Sequence, residues 1–206
     1  MKTQIPKEQT VYPIIETERL LLRMFKAEYL DTIYCLFSDA DVQKYLSVEN
    51  KRTREQLKTA LKNFICRWEE RGFGLWCVTE KKTGEIVDYC GFQYFDNMPQ
   101  VEIVFAFLKN FWFKGFATEA AKACLRFWFE EMNWDQVFAA TSPKNLASLH
   151  VLEKIGMSYV EKSDHYQMEL VTHLISRDKY QPDKSFYKMI RIGFSEMFNF
   201  KFAETV

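Results

Sequence analysis

The chain has 206 residues, which suits one domain with a terminal extension and is too short for two full-sized domains. Its 28 lysine and arginine residues balance 28 aspartate and glutamate residues, and 48% of the residues are hydrophobic. This composition excludes a disordered or collagen-like chain, and the neutral balance argues against binding to nucleic acid or to an anionic membrane.

The N-terminal third of the chain predicts a strand followed by two helices. Residues 19–23 (RLLLR) read as a strand, and apolar residues recur at helical spacing in 27–37. Thr53 and Gln56 form a capping-box pattern that begins a second helix, and Gly72 would end it in the left-handed conformation.

The next segment predicts a three-stranded meander. Two β-rich runs, 73–80 and 86–95, flank a turn over 81–84 that contains a glycine, which is typical of an antiparallel hairpin. A third β-rich run, 101–108, follows a second turn. We therefore expect three neighbouring antiparallel strands.

The second half of the chain alternates helices with strands. Residues 117–132 carry the apolar stripe of a helix that packs on a sheet. A short strand over 137–141, a helix over 145–155 and two β-rich runs near 158–162 and 170–175 follow. This order predicts a mixed α/β domain whose crossovers suit parallel pairing.

We assign residues 1–182 to this domain and residues 183–206 to a C-terminal extension. Apolar side chains recur every fourth residue in the extension, at Phe186, Ile190, Phe194, Phe198 and Phe202. This spacing predicts an amphipathic helix whose aromatic face packs on its own domain or forms a homodimer contact.

The chain carries no signal of export or of metal binding. Residues 1–16 lack the apolar core of a secretory signal, and no uncharged run approaches the roughly 20 residues that a membrane-spanning helix requires. The five cysteines form no CxxC pair, and the three histidines are not at zinc-ligand spacing. We expect a cytoplasmic protein with reduced thiols and no metal.

The segment 101–120 suggests an anion site. Here a strand runs through a loop that contains Gly115 into a helix, and the first amides of a helix lack internal partners at the positive end of its dipole. From this segment alone, a diphosphate site and an ordinary strand-to-helix turn are equally good interpretations.

Three ordered segments resemble one superfamily. Residues 112–120 (WFKGFATEA) resemble the acetyl-CoA loop of the GNAT N-acetyltransferases, and residues 145–157 (NLASLHVLEKIGM) resemble their NxxSxxVLEKxGF helix. Residues 16–23 (ETERLLLR) resemble the opening strand of the RimJ/RimL-like branch, which acetylates the N-termini of ribosomal proteins. The chain is therefore similar to GNAT enzymes of this branch.

The resemblance implies the GNAT acyl-CoA N-acyltransferase fold, with acetyl-CoA as co-substrate. Its central mixed sheet would be splayed at strands 4 and 5 (101–108 and 137–141), with helices on both faces and the pantetheine arm between the strands. The implied CoA-binding residues are Phe105, Ala106, Phe107 and Leu108 along the arm, Phe113, Lys114, Gly115, Phe116, Ala117 and Thr118 at the diphosphate, and Asn145 and Ser148 on the later helix.

The loop departs from the branch at one position. Phe113 stands where the branch often has the first glycine of Trp-Gly-Lys-Gly. Its side chain could point outward and leave the backbone amide accessible, or it could hinder close approach of the phosphates. The affinity for CoA depends on which of these holds.

The resemblance also implies catalytic roles. Glu102 would be the base that deprotonates the amine, although a water chain could do so instead and Glu102 could be an exposed or ion-paired structural carboxylate. A backbone amide near Phe107 would meet the oxyanion. Ser148, one turn after the helix cap Asn145, would protonate the departing thiolate, because Leu152 occupies the place of the tyrosine that other branches use.

Asp88 also stands where family members often have a glycine. We expect it at an exposed edge of the sheet, where carboxylates are usually found. If it pointed inward, it could bind an amine.

The sequence thus predicts an N-acetyltransferase that uses acetyl-CoA. Its acceptor would be a primary amine, either a protein N-terminus or a small molecule such as a polyamine, an amino sugar or an antibiotic. The alternative is an inactive GNAT-fold module that binds acyl-CoA or a protein partner. Phe113, the departure from the loop of the branch, is the residue that suggests this alternative.

Overall fold

The computed structural model describes residues 11–44, 53–96, 98–165, 168–182 and 184–193. In these ranges nine strands form one sheet in the order β7-β8-β6-β5-β4-β3-β2-β1-β9, with five α-helices packed on it. All neighbouring strands are antiparallel except β5 and β6, which are parallel. The mixed α/β class is therefore confirmed.

The elements follow the predicted order closely. The strands are β1 (Val11–Thr17), β2 (Leu20–Arg23), β3 (Leu75–Glu80), β4 (Ile86–Tyr94), β5 (Val101–Phe107), β6 (Gln136–Thr141), β7 (Ser158–His165), β8 (Met168–Ser176) and β9 (Tyr187–Gly193). The α-helices are α1 (Leu30–Ser38), α2 (Ala40–Gln43), α3 (Arg54–Arg71), α4 (Phe116–Arg126) and α5 (Leu146–Lys154). A π-helical turn, Phe127–Glu131, continues α4. Among the described residues, no helix combines the length and the apolar character needed to cross a bilayer.

The predicted boundaries of α3 are confirmed at both ends. Thr53 and Gln56 make both hydrogen bonds of the capping box. Gly72 follows Arg71 with a φ of 73°, which is the left-handed conformation that a glycine adopts without steric cost.

The predicted C-terminal helix is wrong over Tyr187–Gly193. This segment is strand β9, which pairs antiparallel with β1 in register from Thr17 to Val11. The β1 strand was itself not predicted, and its outer edge offers a row of backbone donors and acceptors that β9 satisfies. This pairing overrides the helical spacing of the side chains. Residues 194–206 lie outside the described residues, so the rest of the predicted helix stays a prediction.

Two apolar clusters lie on opposite faces of the sheet. On β3, Trp76 and Val78 join the cluster that includes α4 and α5, whereas Leu75 and Cys77 join the cluster that includes α1, α2 and most of the buried residues of α3. Because successive strand residues point to opposite faces, this alternation places helices on both sides of the sheet.

Candidate functional site

The only parallel strand pair of the described sheet opens into a gap. The pairing of β5 with β6 is restricted to Glu102 and Phe138, although β5 continues to Phe107 and β6 to Thr141. Beyond that pair the two strands part. We call this opening, between 103–107 of β5 and 139–141 of β6, the interstrand gap; it is the predicted splay of strands 4 and 5.

Backbone groups of β5 face the interstrand gap at alternate residues. The N–H of Leu108 donates to the carbonyl of Val87 at 3.1 Å, which places Phe107 at a non-hydrogen-bonded position of the β4–β5 ladder. The N–H and C=O of Phe107, and those of Phe105 two residues earlier, therefore point away from β4 into the gap. Ala106 directs its backbone groups toward β4 instead.

Trp112 forms a hydrogen bond with one of these backbone groups. Its indole N–H donates to the carbonyl of Phe107, with 2.6 Å between Nε1 and the oxygen. The ring also packs against both apolar clusters, so it ties the loop to the end of β5. Of the four groups of Phe105 and Phe107, the N–H of Phe107 and both backbone groups of Phe105 are left facing the gap. Sequence reasoning assigned Trp112 no role, and a tryptophan in a motif does not reveal its partner.

The loop that follows β5 ends at an uncapped helix terminus. Phe113 and Gly115 both have positive φ, 60° and 80°. Gly115 is the N-cap residue of α4, and because glycine has no side chain it cannot accept hydrogen bonds from the first amides of the helix. By contrast, Thr53 caps α3 and Asn145 caps α5. The amides at the start of α4 are thus available to an external anion, and this end of the helix carries positive potential.

Phe113 points into solvent, with 92% of its surface exposed. Its ring therefore does not cover the amides at the start of α4. Of the two possibilities that the sequence left open, the structure supports the one in which the backbone remains accessible.

Replacing Phe113 with glycine is expected to raise the free energy of unfolding by about 0.5 to 1 kcal/mol, because glycine adopts positive φ without the steric cost that phenylalanine bears. The exposed ring loses little packing. Thermal unfolding measures the stability, and calorimetry should show an affinity for CoA at least equal to that of the parent protein. A weaker affinity would mean that the ring itself contacts the ligand.

The start of α4 is anchored to the β1–β2 turn by a cluster that sequence reasoning missed. Glu119 accepts hydrogen bonds from the Thr17 hydroxyl (2.7 Å), from the Arg19 backbone N–H (2.8 Å) and from Arg19 Nε (2.7 Å). Arg19 Nη1 also donates to the carbonyl of Lys114 at 2.9 Å. Two of the three recognised motifs thus meet in space, which only their joint occurrence in the sequence could have suggested.

Glu102 lies where the interstrand gap begins. It is 2% exposed, and its Oε1 accepts a hydrogen bond from Gln93 Nε2 at 2.9 Å. The exposed strand-end carboxylate that we considered is therefore wrong. Since Ile103 faces the α4 side, Glu102 faces the side of α1 and α3. A buried carboxylate at this point can accept a proton from a group that enters the gap from that side.

Asn145 and Ser148 lie at the start of α5, as predicted. The Asn145 side chain caps the helix, accepting from the Ser148 backbone N–H at 3.1 Å. Ser148 is half-buried on the next turn. α5 follows β6 directly, so these residues belong to the β6 side of the gap, whereas Glu102 belongs to the β5 side.

Asp88 corrects the sequence interpretation, because it is fully buried and not at an exposed edge. Neither carboxyl oxygen has a hydrogen-bond partner among the described residues, and its φ is 137°, a region that is almost restricted to glycine. Burial raises the pKa of Asp88 well above its ordinary value. It pairs with Phe107 across β4 and β5, behind the gap.

The geometry fits an elongated ligand that carries an anionic group. The uncapped amides of α4 suit the anion, and the backbone groups of Phe105 and Phe107 can pair with an extended arm as an added strand would. The arm would lead from the start of α4 into the interstrand gap, toward Glu102.

Comparisons with known proteins agree with this geometry. Residues 19–158 match the family model of the acetyltransferase (GNAT) domain. The chain is 37% identical over 150 residues to the uncharacterized protein YkkB of Bacillus subtilis, an alignment that covers 69% of this chain and 84% of that protein.

Solved structures share the fold. A GNAT-family acetyltransferase from Bacillus anthracis superposes with a TM-score of 0.68 at 28% identity, covering 80% of this chain and 99% of its own. RimL, a ribosomal α-N-protein acetyltransferase in complex with coenzyme A, superposes with a TM-score of 0.67 at 13% identity over 81% of this chain and 99% of its own. The latter likeness shows the fold alone.

Proposed function

We propose that this chain, which belongs to the GNAT acetyltransferase family, transfers the acetyl group of acetyl-CoA directly to a primary amine. The observation that carries the proposal is the interstrand gap, which has an uncapped helix terminus at one end and the buried carboxyl group of Glu102 at the other. An anion site and a proton acceptor at the two ends of a row of gap-facing backbone groups on β5 suit the transfer of an acyl group from CoA.

In this proposal the chain holds CoA mainly through its backbone. The amides from Phe113 to Thr118 bind the diphosphate, and Phe105 and Phe107 pair with the pantetheine arm. The ring of Phe113 is exposed and does not cover these amides, which supports this assignment. Phe113 therefore gives no reason to prefer an inactive module. Asn145 and Ser148 border the arm from α5. Acetyl-CoA supplies an activated thioester as the acetyl donor.

The reacting carbonyl belongs near Phe105 rather than near Phe107. A strand rises about 3.4 Å per residue, so Phe107 lies about 17 Å along β5 from Glu102 and Phe105 about 10 Å. A base acts through direct contact or one water, and of the two amides that face the gap that of Phe105 is the nearer to Glu102. We therefore assign the oxyanion to the N–H of Phe105, which faces the gap.

Glu102 accepts the proton of the attacking amine in this mechanism. A primary ammonium has a pKa of about 8 to 10, so it must lose a proton near neutral pH before it can attack. The neutral amine forms a C–N bond to the thioester carbonyl, and the C–S bond of the tetrahedral intermediate then breaks. The nitrogen releases its second proton to solvent, and the departing thiolate takes a proton from Ser148, which solvent restores. No covalent intermediate with the enzyme is needed.

Replacing Ser148 with alanine is expected to lower kcat about 10-fold, while the affinity for CoA changes less than 2-fold. The loss is modest because a thiolate, whose conjugate acid has a pKa near 8.5, departs readily even without a proton donor. Thiol-release kinetics measure kcat and calorimetry measures the affinity. A loss of affinity without a loss of kcat would assign Ser148 to binding alone.

The acceptor is proposed from the resemblance to the RimJ/RimL-like branch. The opening ETERLLLR segment, which resembles that branch, supports a protein N-terminal α-amine. A small amine is the other acceptor class. A panel of peptides with free and blocked N-termini, a polyamine and an amino sugar distinguishes them.

The test of the function combines binding with turnover. Calorimetry with acetyl-CoA should give a saturable isotherm, and thiol release should then depend on an amine from the panel. A protein that does not bind acetyl-CoA would contradict the proposal. Binding with no release across the panel would favour the alternative acyl-CoA-binding module.

A further inference from the structure

Arg19 is fixed against the loop that precedes α4. Its Nη1 lies 2.9 Å from the carbonyl oxygen of Lys114, and its Nε lies 2.7 Å from Glu119 Oε2. The guanidinium carbon also lies 4.6 Å from the centre of the Phe116 ring. Because Glu119 is bonded to the Thr17 hydroxyl as well, the guanidinium group is held from several directions.

This contact sets the direction of one peptide group. In a trans peptide the carbonyl and the following N–H point in opposite directions. The Lys114 carbonyl points to Arg19, so the N–H of Gly115 points to the opposite side, away from the β1–β2 turn.

The same peptide would otherwise rotate easily. Gly115, with a φ of 80°, has no side chain that restricts it, and Phe113 is already in the left-handed region. A guanidinium group donates in a fixed planar fork, which holds the Lys114 carbonyl and Glu119 at the same time.

We propose that Arg19 is a positioning residue for the diphosphate of CoA: by holding the Lys114 carbonyl, it keeps the N–H of Gly115 directed at the ligand. This inference rests on the proposed function, since it assumes that the loop binds CoA. Arg19 itself contacts the loop and not the reacting atoms. The fork geometry, and not the positive charge alone, carries the effect.

The test compares Arg19→Met and Arg19→Lys with the parent protein. Both variants should bind CoA about 10-fold more weakly, the effect of losing one charge-assisted hydrogen bond. Binding of pantetheine, which lacks the diphosphate and is followed by NMR titration, should change less than 2-fold. The ¹⁵N–¹H signal of Gly115 should shift in the free protein.

Arg191→Met is the matched control. Arg191 lies on strand β9, away from the loop, and forms an ion pair with Glu131 at 2.9 Å. It should leave both affinities unchanged. Thermal unfolding confirms that each variant is folded.

Two outcomes would overturn the inference. If Arg19→Lys binds CoA as the parent does, the charge suffices and the fork is not needed. If the affinities for CoA and for pantetheine fall equally, Arg19 supports the loop in general and not the diphosphate.

A parent protein that fails to bind CoA would contradict the proposed function. The Gly115 signal would then still test whether Arg19 holds the peptide.

Discussion

Replacing Glu102 with glutamine is expected to lower kcat about 1000-fold near neutral pH, within the range that a positioned general base contributes. Glutamine keeps the size of the side chain and can still accept the hydrogen bond from Gln93, but it cannot take a proton from the ammonium. The affinity for acetyl-CoA should change little, because the backbone of the loop and of β5 holds the ligand in our proposal.

The pH dependence gives this prediction a second measurement. As the pH rises toward the pKa of the free amine, about 8 for an α-amine, more of the acceptor arrives already deprotonated. The deficit of the Glu102→Gln variant should therefore shrink with rising pH. Glu161→Gln, the same change at an exposed position of β7, is the control and should retain full activity. A variant that keeps activity within 10-fold of the parent would assign the proton to a water chain.

Replacing Asp88 with glycine is expected to raise the free energy of unfolding by about 2 kcal/mol near pH 4, and by more at pH 7, where the unfolded chain also loses the proton. Positive φ at a non-glycine residue costs about 1 to 3 kcal/mol, and a buried carboxyl group without a partner costs a similar amount. The small cavity and the greater freedom of glycine in the unfolded chain offset part of the gain. Denaturant unfolding measures the difference.

The Asp88→Asn variant separates charge from backbone strain. The carboxyl group has an ordinary pKa near 4 in the unfolded chain, and burial holds its pKa far higher in the fold. Below about pH 4 it is protonated in both states, so its contribution to stability is complete there. As the pH rises, only the unfolded state loses the proton, and stability falls by up to about 1.4 kcal/mol per pH unit.

Asparagine does not titrate, so Asp88→Asn should match the parent near pH 4 and exceed its stability increasingly toward pH 7. A stability difference that is independent of pH would show that Asp88 is ionised or solvated in the fold. Asp88→Gly should be more stable than Asp88→Asn at every pH, because only glycine also relieves the backbone. These two comparisons test the burial of Asp88 directly.

The sequence by itself determined the elements whose signals are local. The capping box at Thr53 and the glycine at Gly72 act within one helix, and the hairpin of β3 and β4 forms around its own turn. The stripe of α4 and the cap at Asn145 are equally local. Such patterns depend on neighbours a few residues away, which is why they and the family motifs could be read from the chain.

Only the tertiary structure decided the rest, because those features depend on residues far apart in the sequence. The C-terminal segment had helical spacing but became β9, since the free edge of β1 satisfies its backbone. Asp88 looked suited to an exposed edge but lies between β3 and β5, which bury it. Glu119 meets Arg19, 100 residues earlier, only because the sheet brings the β1–β2 turn to the start of α4. Long-range pairing leaves no periodic trace in a single sequence, so the contact of Arg19 with the Lys114 carbonyl, which sets the backbone direction at Gly115, became visible only in the folded chain.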